Sequence, residues 1–269
     1  MSFVNIRDKT YKVKKNLLNL RNKRITSFDE ISGLNNLPFL TQMDLSNNNI
    51  TEIKGLDNFP NLVHLDLSNN AITDIKGLQN LPNLVFLDLS GNNITQITGL
   101  ENLKRLRILK LNKNVIREIT GLDSLKDLMT LFLEQNQINE ITGLENIHKL
   151  NAIYLNGNYI SDIKGVEHLR NLKRLDIGKV GEIPREQIKE VQKAGVFTKD
   201  QRYYESKALR IFIWLLISAI VCDLIISAII VAGFQWGIQA FWPMFGTLLI
   251  PFLIGVPIIY CIAKEEDWR

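Results

Sequence analysis

The sequence predicts an α/β repeat solenoid. Short strands lie side by side as a parallel β-sheet on the concave face, short 3-10 or helical returns join them, and two transmembrane α-helices follow. Three observations carry this reading. Leucines recur at Leu40, Leu62, Leu84, Leu106, Leu128, Leu150 and Leu172, each 22 residues after the last, and a fixed period in this range implies stacked units rather than one globular core. Within a copy, seen most clearly in LPNLVFLDLSGNNITQITGLEN at 81–102, leucines alternate with variable residues over a short run, as in a strand with one face inward. After residue 210 the periodic pattern gives way to two long apolar stretches.

Residues 1–19 read as an N-terminal β-hairpin cap, because FVNI and TYKV alternate apolar and polar residues around an RDK turn. A solenoid needs such a cap, since its first repeat would otherwise expose its core and a bare strand edge. The solenoid itself spans residues 20–180. Its first copy carries Leu20, Ile25, Phe28, Ile31 and Leu34, and holds three extra residues around Phe28–Glu30 relative to later copies.

In the regular copies each position has a physical role. Leu84, Leu87 and Leu89 point inward. Asn48, Asn70, Asn92, Asn114, Asn136 and Asn158 form a ladder, and a buried amide column can satisfy the backbone groups of the turn after each strand. Gly33, Gly55, Gly77, Gly99, Gly121, Gly143 and Gly165 form a second ladder, which calls for a positive φ or a tight backbone approach on the return. In the seventh copy Val180 replaces the asparagine.

Residues 181–209 read as a capping helix and juxtamembrane linker. EIPREQIKEVQKAG has Pro184 in the first turn of a helix and Gly195 past its end. Ile183, Ile188 and Val191 would cover the last repeat. Residues 196–210 look like a second polar helix or a linker.

The pattern L-x-x-L-x-L-x-x-N-x-I resembles a leucine-rich repeat, of the 22-residue class found in internalins and in a regulatory subunit of protein phosphatase-1. Six consecutive in-register copies carry the resemblance, over roughly residues 20 to 180. It implies recognition of a protein partner. Phosphatase binding does not carry over, because no partner-contacting residues match one by one.

Residues 210–264 read as a transmembrane hairpin and 265–269 as a cytosolic tail. Ile211–Phe234 is apolar except for Ser218, Asp223 and Ser227, and Gly237–Ala263 holds no charge. Crossing a hydrocarbon core of about 30 Å needs ~20 residues. Lys199, Arg202, Lys207 and Arg210 precede the first span, Lys264 and Arg269 follow the second, and the connection has no charge. The positive-inside rule then predicts an integral membrane protein with both termini and the repeats in the cytosol. MSFVNIRDKTYKVKK has no apolar run, which predicts no cleaved signal peptide. Asp223 falls near the middle of the first span, where an aspartate should face protein. Its depth partner lies near Thr247, whose carbonyl Pro251 cannot engage. One hydrogen bond within the hairpin is the plainer reading; homo-oligomerisation through the spans is the sharper one.

Composition excludes several classes. The net charge is +4, with no lysine or arginine block of a nucleic-acid arm. Cys222 and Cys261 are the only cysteines, so the repeats carry no disulfide framework and fit a reducing compartment. Neither Asn49-Ile-Thr nor Asn93-Ile-Thr is read as a glycosylation site, being a by-product of the repeat. His64, His148 and His168 occupy different repeat phases, and no phosphate loop, nucleophile elbow or cysteine–histidine pair is present. The expectation is a non-enzymatic protein with no cofactor and no metal.

The informative surface is concave, where residues between the inward leucines face out. One column reads Gln42, His64, Phe86, Ile108, Thr130, Ala152, Arg174; the next reads Asp44, Asp66, Asp88, Lys110, Phe132, Tyr154, Asp176. Phe86, Ile108, Phe132 and Tyr154 form a candidate apolar patch beside an acidic strip, Asp44–Asp66–Asp88, with Lys110 between them. Solvent-facing aromatics have no packing role on a bare sheet and mark an interface. The acidic strip is either drift of the LDLS consensus or a place for a basic partner. The function expected is a membrane-anchored, cytosol-facing scaffold, adaptor or regulator that binds a protein or peptide on this face. The alternative is a membrane component whose hairpin oligomerises or sits beside a transporter or channel, with the repeats regulating it.

Overall fold

The structure, a computed structural model, describes residues 2–166, 168–178, 183–193 and 195–200. These fall in the first of two units into which the chain divides, Met1–Tyr204. Among the described residues no helix is long and apolar enough to cross a membrane. The two apolar stretches of 210–264, with Asp223 and Thr247, lie outside the described residues, as does Val180.

β1 (Phe3–Ile6) and β2 (Lys9–Lys12) pair antiparallel, and Val4 and Ile6 turn inward. β3 (Leu17–Asn19) then opens the main sheet, so its first strand begins before residue 20. The three extra residues of the first copy have a definite job. Ser27 caps a 3-10 turn at Phe28–Glu30, and Glu30 reaches back to the Ser27 backbone, a reciprocal arrangement that satisfies two orphan donors. The chain leaves this turn as β4 (Ile31–Ser32), which pairs antiparallel with β1. The insertion thereby joins the hairpin to the stack in a small sheet of order β2-β1-β4.

The regular copies supply β5 (Gln42–Asp44), β6 (His64–Asp66), β7 (Phe86–Asp88), β8 (Ile108–Lys110), β9 (Thr130–Phe132) and β10 (Ala152–Tyr154), followed by β11 (Arg174–Gly178). All pair parallel, and β5 to β11 pair in a register offset by one repeat. Behind them a single apolar column runs through the stack. Leu84, Leu87, Leu89, Ile94, Ile97 and Leu100, all from one copy, are fully buried. Each such side chain contributes about 1.5–3 kcal/mol on leaving water.

The asparagine ladder works as the pattern implies. Asn114 donates to the Leu89 carbonyl at 3.0 Å and the Leu111 carbonyl at 3.0 Å, and accepts from the Ile94 amide at 3.0 Å. One side chain thus ties the turn of its own copy to that of the copy before. In the glycine ladder both expected causes act together: Gly99 has φ 74°, and a Cβ there would lie 1.9 Å from the Ile75 carbonyl oxygen.

At the far end α1 (Arg185–Lys193) follows Pro184, whose carbonyl accepts from Gln187 and Ile188. Gly195 (φ 80°) ends it, with the Val196 amide reaching back to the Val191 carbonyl. Ile183 and Ile188 are buried and Val191 packs beside them against the core. Residues 197–200, expected as polar helix or linker, form β12 (Phe197–Asp200) instead. β12 pairs parallel with β11 and completes a nine-stranded sheet of order β12-β11-β10-β9-β8-β7-β6-β5-β3. An unpaired β11 edge is a strong template for four extended residues whatever their polarity.

Candidate functional site

The strand registers bring the two columns together as read from the period: Gln42, His64, Phe86, Ile108, Thr130, Ala152 and Arg174 are in register, as are Asp44, Asp66, Asp88, Lys110, Phe132, Tyr154 and Asp176. Their side chains give the candidate apolar patch a cation of its own. Lys110 stands inside it, its Nζ 5.2 Å from the Phe86 ring centre and 5.7 Å from that of Phe132. On one side His64 stacks on Phe86 at 5.7 Å; on the other Phe132 lies on Tyr154 at 4.5 Å with the rings 5° from parallel, and Arg174 sits 5.1 Å over Tyr154. The face is therefore a row of two stacked ring pairs, each followed by a cation, crossing the sheet: His64, Phe86, Lys110, Phe132, Tyr154, Arg174.

This arrangement corrects one premise. The aromatics do have a packing role, because ring stacking and ring–cation contacts contribute about 0.5–1.5 kcal/mol each. It also leaves Phe86, Ile108, Phe132 and Tyr154 half-buried rather than fully exposed. What remains is a pre-ordered row of π faces and cations, held on rigid strands.

The acidic strip is likewise not uniform. Asp88 is only 8% exposed; its carboxylate accepts from the Ser90 amide at 3.0 Å and lies 3.4 Å from the Lys110 ammonium. At the other end Asp44 accepts from the Asn19 side chain at 3.3 Å, from the Ser46 amide at 3.0 Å and from the Ser46 hydroxyl at 2.7 Å. Asp66, between them, bonds only to its own turn, where the Ser68 amide donates at 2.9 Å. Burial pushes its carboxyl above the usual carboxylate range; Asp88 and Asp44 push the same way, against the hydrogen bonds from Ser68. The strip is thus a satisfied carboxylate at each end and an uncompensated one in the middle.

Asn19 is the member that counting missed. It pairs with Asp44 across 25 residues rather than 22, because the three residues of the 3-10 turn displace the first copy. Allowing for that insertion finds it. Away from this face, His148 and His168 line one surface hollow with Glu145, Arg170 and Asn171, a closeness their different repeat phases did not suggest. Among the described residues no cluster of histidine, cysteine and carboxylate side chains is placed to hold a metal ion.

A parallel one-repeat register, an inward leucine column and an amide ladder define a leucine-rich-repeat solenoid. Residues 38–80, 60–102 and 82–124 match the family model for leucine rich repeats (2 copies). No curated protein sequence matches the chain. Among solved structures, internalin C2 from Listeria monocytogenes is 28% identical, with a TM-score of 0.60 over 69% of this chain and 80% of that one. The functional domain of InlJ from the same organism, which includes a cysteine ladder, is 28% identical at a TM-score of 0.53, over 64% of this chain and 37% of that one. A complex of TLR13 with ssRNA13 shares the fold, at 22% identity and a TM-score of 0.58 over 68% of this chain and 28% of that one. The chain thus spans most of internalin C2 and less than two fifths of the other two. Its fold is a scaffold suited to protein binding, and in its repeats asparagine forms the ladder.

Proposed function

We propose that this chain is a membrane-anchored, cytosol-facing leucine-rich-repeat protein that binds a protein partner on its concave face, in a scaffold, adaptor or regulatory role without chemistry of its own. The observation that carries the reading is the row His64–Phe86–Lys110–Phe132–Tyr154–Arg174. Aromatic and arginine side chains already ordered on strands lose little freedom on binding and are the residue types that dominate interface energies. The membrane part rests on the two long apolar stretches, the first broken only by Ser218, Asp223 and Ser227 and the second uncharged, and on the flanking lysines and arginines. Anchoring would hold the face at high local concentration relative to a partner on the same bilayer.

The test is affinity capture from solubilised membranes with the wild type and with Phe86→Ala/Phe132→Ala. The double variant should lose a partner that the wild type retains, by tenfold or more, while the fold persists. Identical capture by both sinks the reading.

A further inference from the structure

Resting on that reading, the geometry points to the chemistry of the partner: we infer that Asp66 receives a lysine or arginine side chain from an extended segment laid across the strands, with apolar side chains two and four residues beyond it. The protein supplies the template. Lys110 shows what this face does with a cation, holding its ammonium 3.4 Å from Asp88 and between the rings of Phe86 and Phe132. One strand away, Asp66 is in register with Asp88, the stacked His64 and Phe86 rings lie on the same two strands, and among the described residues no cation reaches it. Asn19 donates to Asp44 from the neighbouring strand and Lys110 neutralises Asp88, so of the three carboxylates only Asp66 has no side-chain partner from another strand among the described residues. Three like charges on neighbouring strands repel, and an incoming cation removes that repulsion.

Spacing sets the rest. Strands stand about 4.8 Å apart and an extended chain rises about 3.3 Å per residue, so its second residue reaches the Phe86–Ile108 level and its fourth reaches Phe132. Alternate side chains of an extended segment point the same way, which puts the basic group and both apolar groups on the sheet. The occupant is thus a peptide strand of the form basic–x–apolar–x–apolar.

The experiment is selection of a displayed random peptide library on the purified full-length protein, in parallel with Asp66→Asn and with Phe86→Ala/Phe132→Ala. Peptides enriched on the wild type should carry lysine or arginine in that spacing. A synthetic copy should bind Asp66→Asn about tenfold more weakly or worse, and replacing its basic residue by norleucine should erase the difference. Peptides that need Phe86 and Phe132 but show no basic position, or bind Asp66→Asn equally well, overturn the inference and leave the concave-face reading standing. If no enriched peptide depends on Phe86 and Phe132, the concave-face reading falls and this inference with it.

Discussion

Asn114 and Asp66 show how differently two polar side chains can be used one sheet apart. Asn114 is buried and serves three backbone groups of two copies. Removing it leaves those groups unpaired, at about 1–3 kcal/mol for each buried polar group abandoned. Asn114→Ala should therefore lower stability by about 3 kcal/mol or more in urea denaturation, and Asn70→Ala, with the same bonds but half-buried, by visibly less. Asp66 works the other way. Burial raises its carboxyl above the usual range, so the folded state holds that proton more tightly than the unfolded chain does, and the contribution of Asp66 to stability is present below the ordinary carboxylate range and lost as pH rises through its own titration. Asp66→Asn should be at least as stable as wild type at neutral pH, by about 0.2–1 kcal/mol from relief of like charges, and the gain should vanish near pH 3 on an acid titration. A variant that is less stable at neutral pH refutes this. The ladder asparagines were legible in the sequence because every copy repeats them. The state of Asp66 was not: it follows from Lys110 reaching sideways to Asp88 and from Asn19 on a displaced copy, neither of which a column of letters records.

The glycine return is the element where backbone geometry is least negotiable. At Gly99 an added methyl meets both a left-handed φ and the Ile75 carbonyl, whereas at Gly55 (φ 70°) its nearest neighbour is the Phe28 Cβ at 3.7 Å, an ordinary contact. Gly99→Ala should cost about 3 kcal/mol, from the left-handed strain of roughly 1–2 kcal/mol plus the forced backbone shift. Gly55→Ala should cost only about the strain. Equal losses in denaturant melts would falsify the carbonyl contact as the cause. Strands, returns and α1 were all readable as elements, since leucine period, glycine position and the Pro184–Gly195 pair act locally. β12 was not, because FTKD has no strand pattern of its own and takes its form from the edge of β11.

At the scale of the molecule each copy contacts its neighbours alone, so stability adds along the stack rather than around a centre. The proposed topology predicts how the chain meets impermeant reagents. In a background without Cys222 and Cys261, Asn93→Cys in intact cells should resist a membrane-impermeant maleimide until the membrane is opened, while Gln239→Cys should react at once. The opposite pattern would reverse the orientation and make the concave face an outward receptor surface. Composition and flanking charge carry that expectation; the period says nothing about it, because a solenoid is built alike on either side of a bilayer.

The close approach of the return glycines from Gly77 onward to the preceding isoleucine carbonyl also acts as a ruler. At Gly77, Gly99, Gly121 and Gly143 an added Cβ would lie within 2.0 Å of that oxygen, so a residue gained or lost between them would throw every later return out of step. Such a chain can lengthen or shorten through its middle only by whole 22-residue units. The three-residue extension at Phe28–Glu30 is found where that gauge is slack, ahead of Gly55. Changes in length that are not multiples of a repeat are therefore expected to be tolerated at the hairpin end and rejected in the body of the stack.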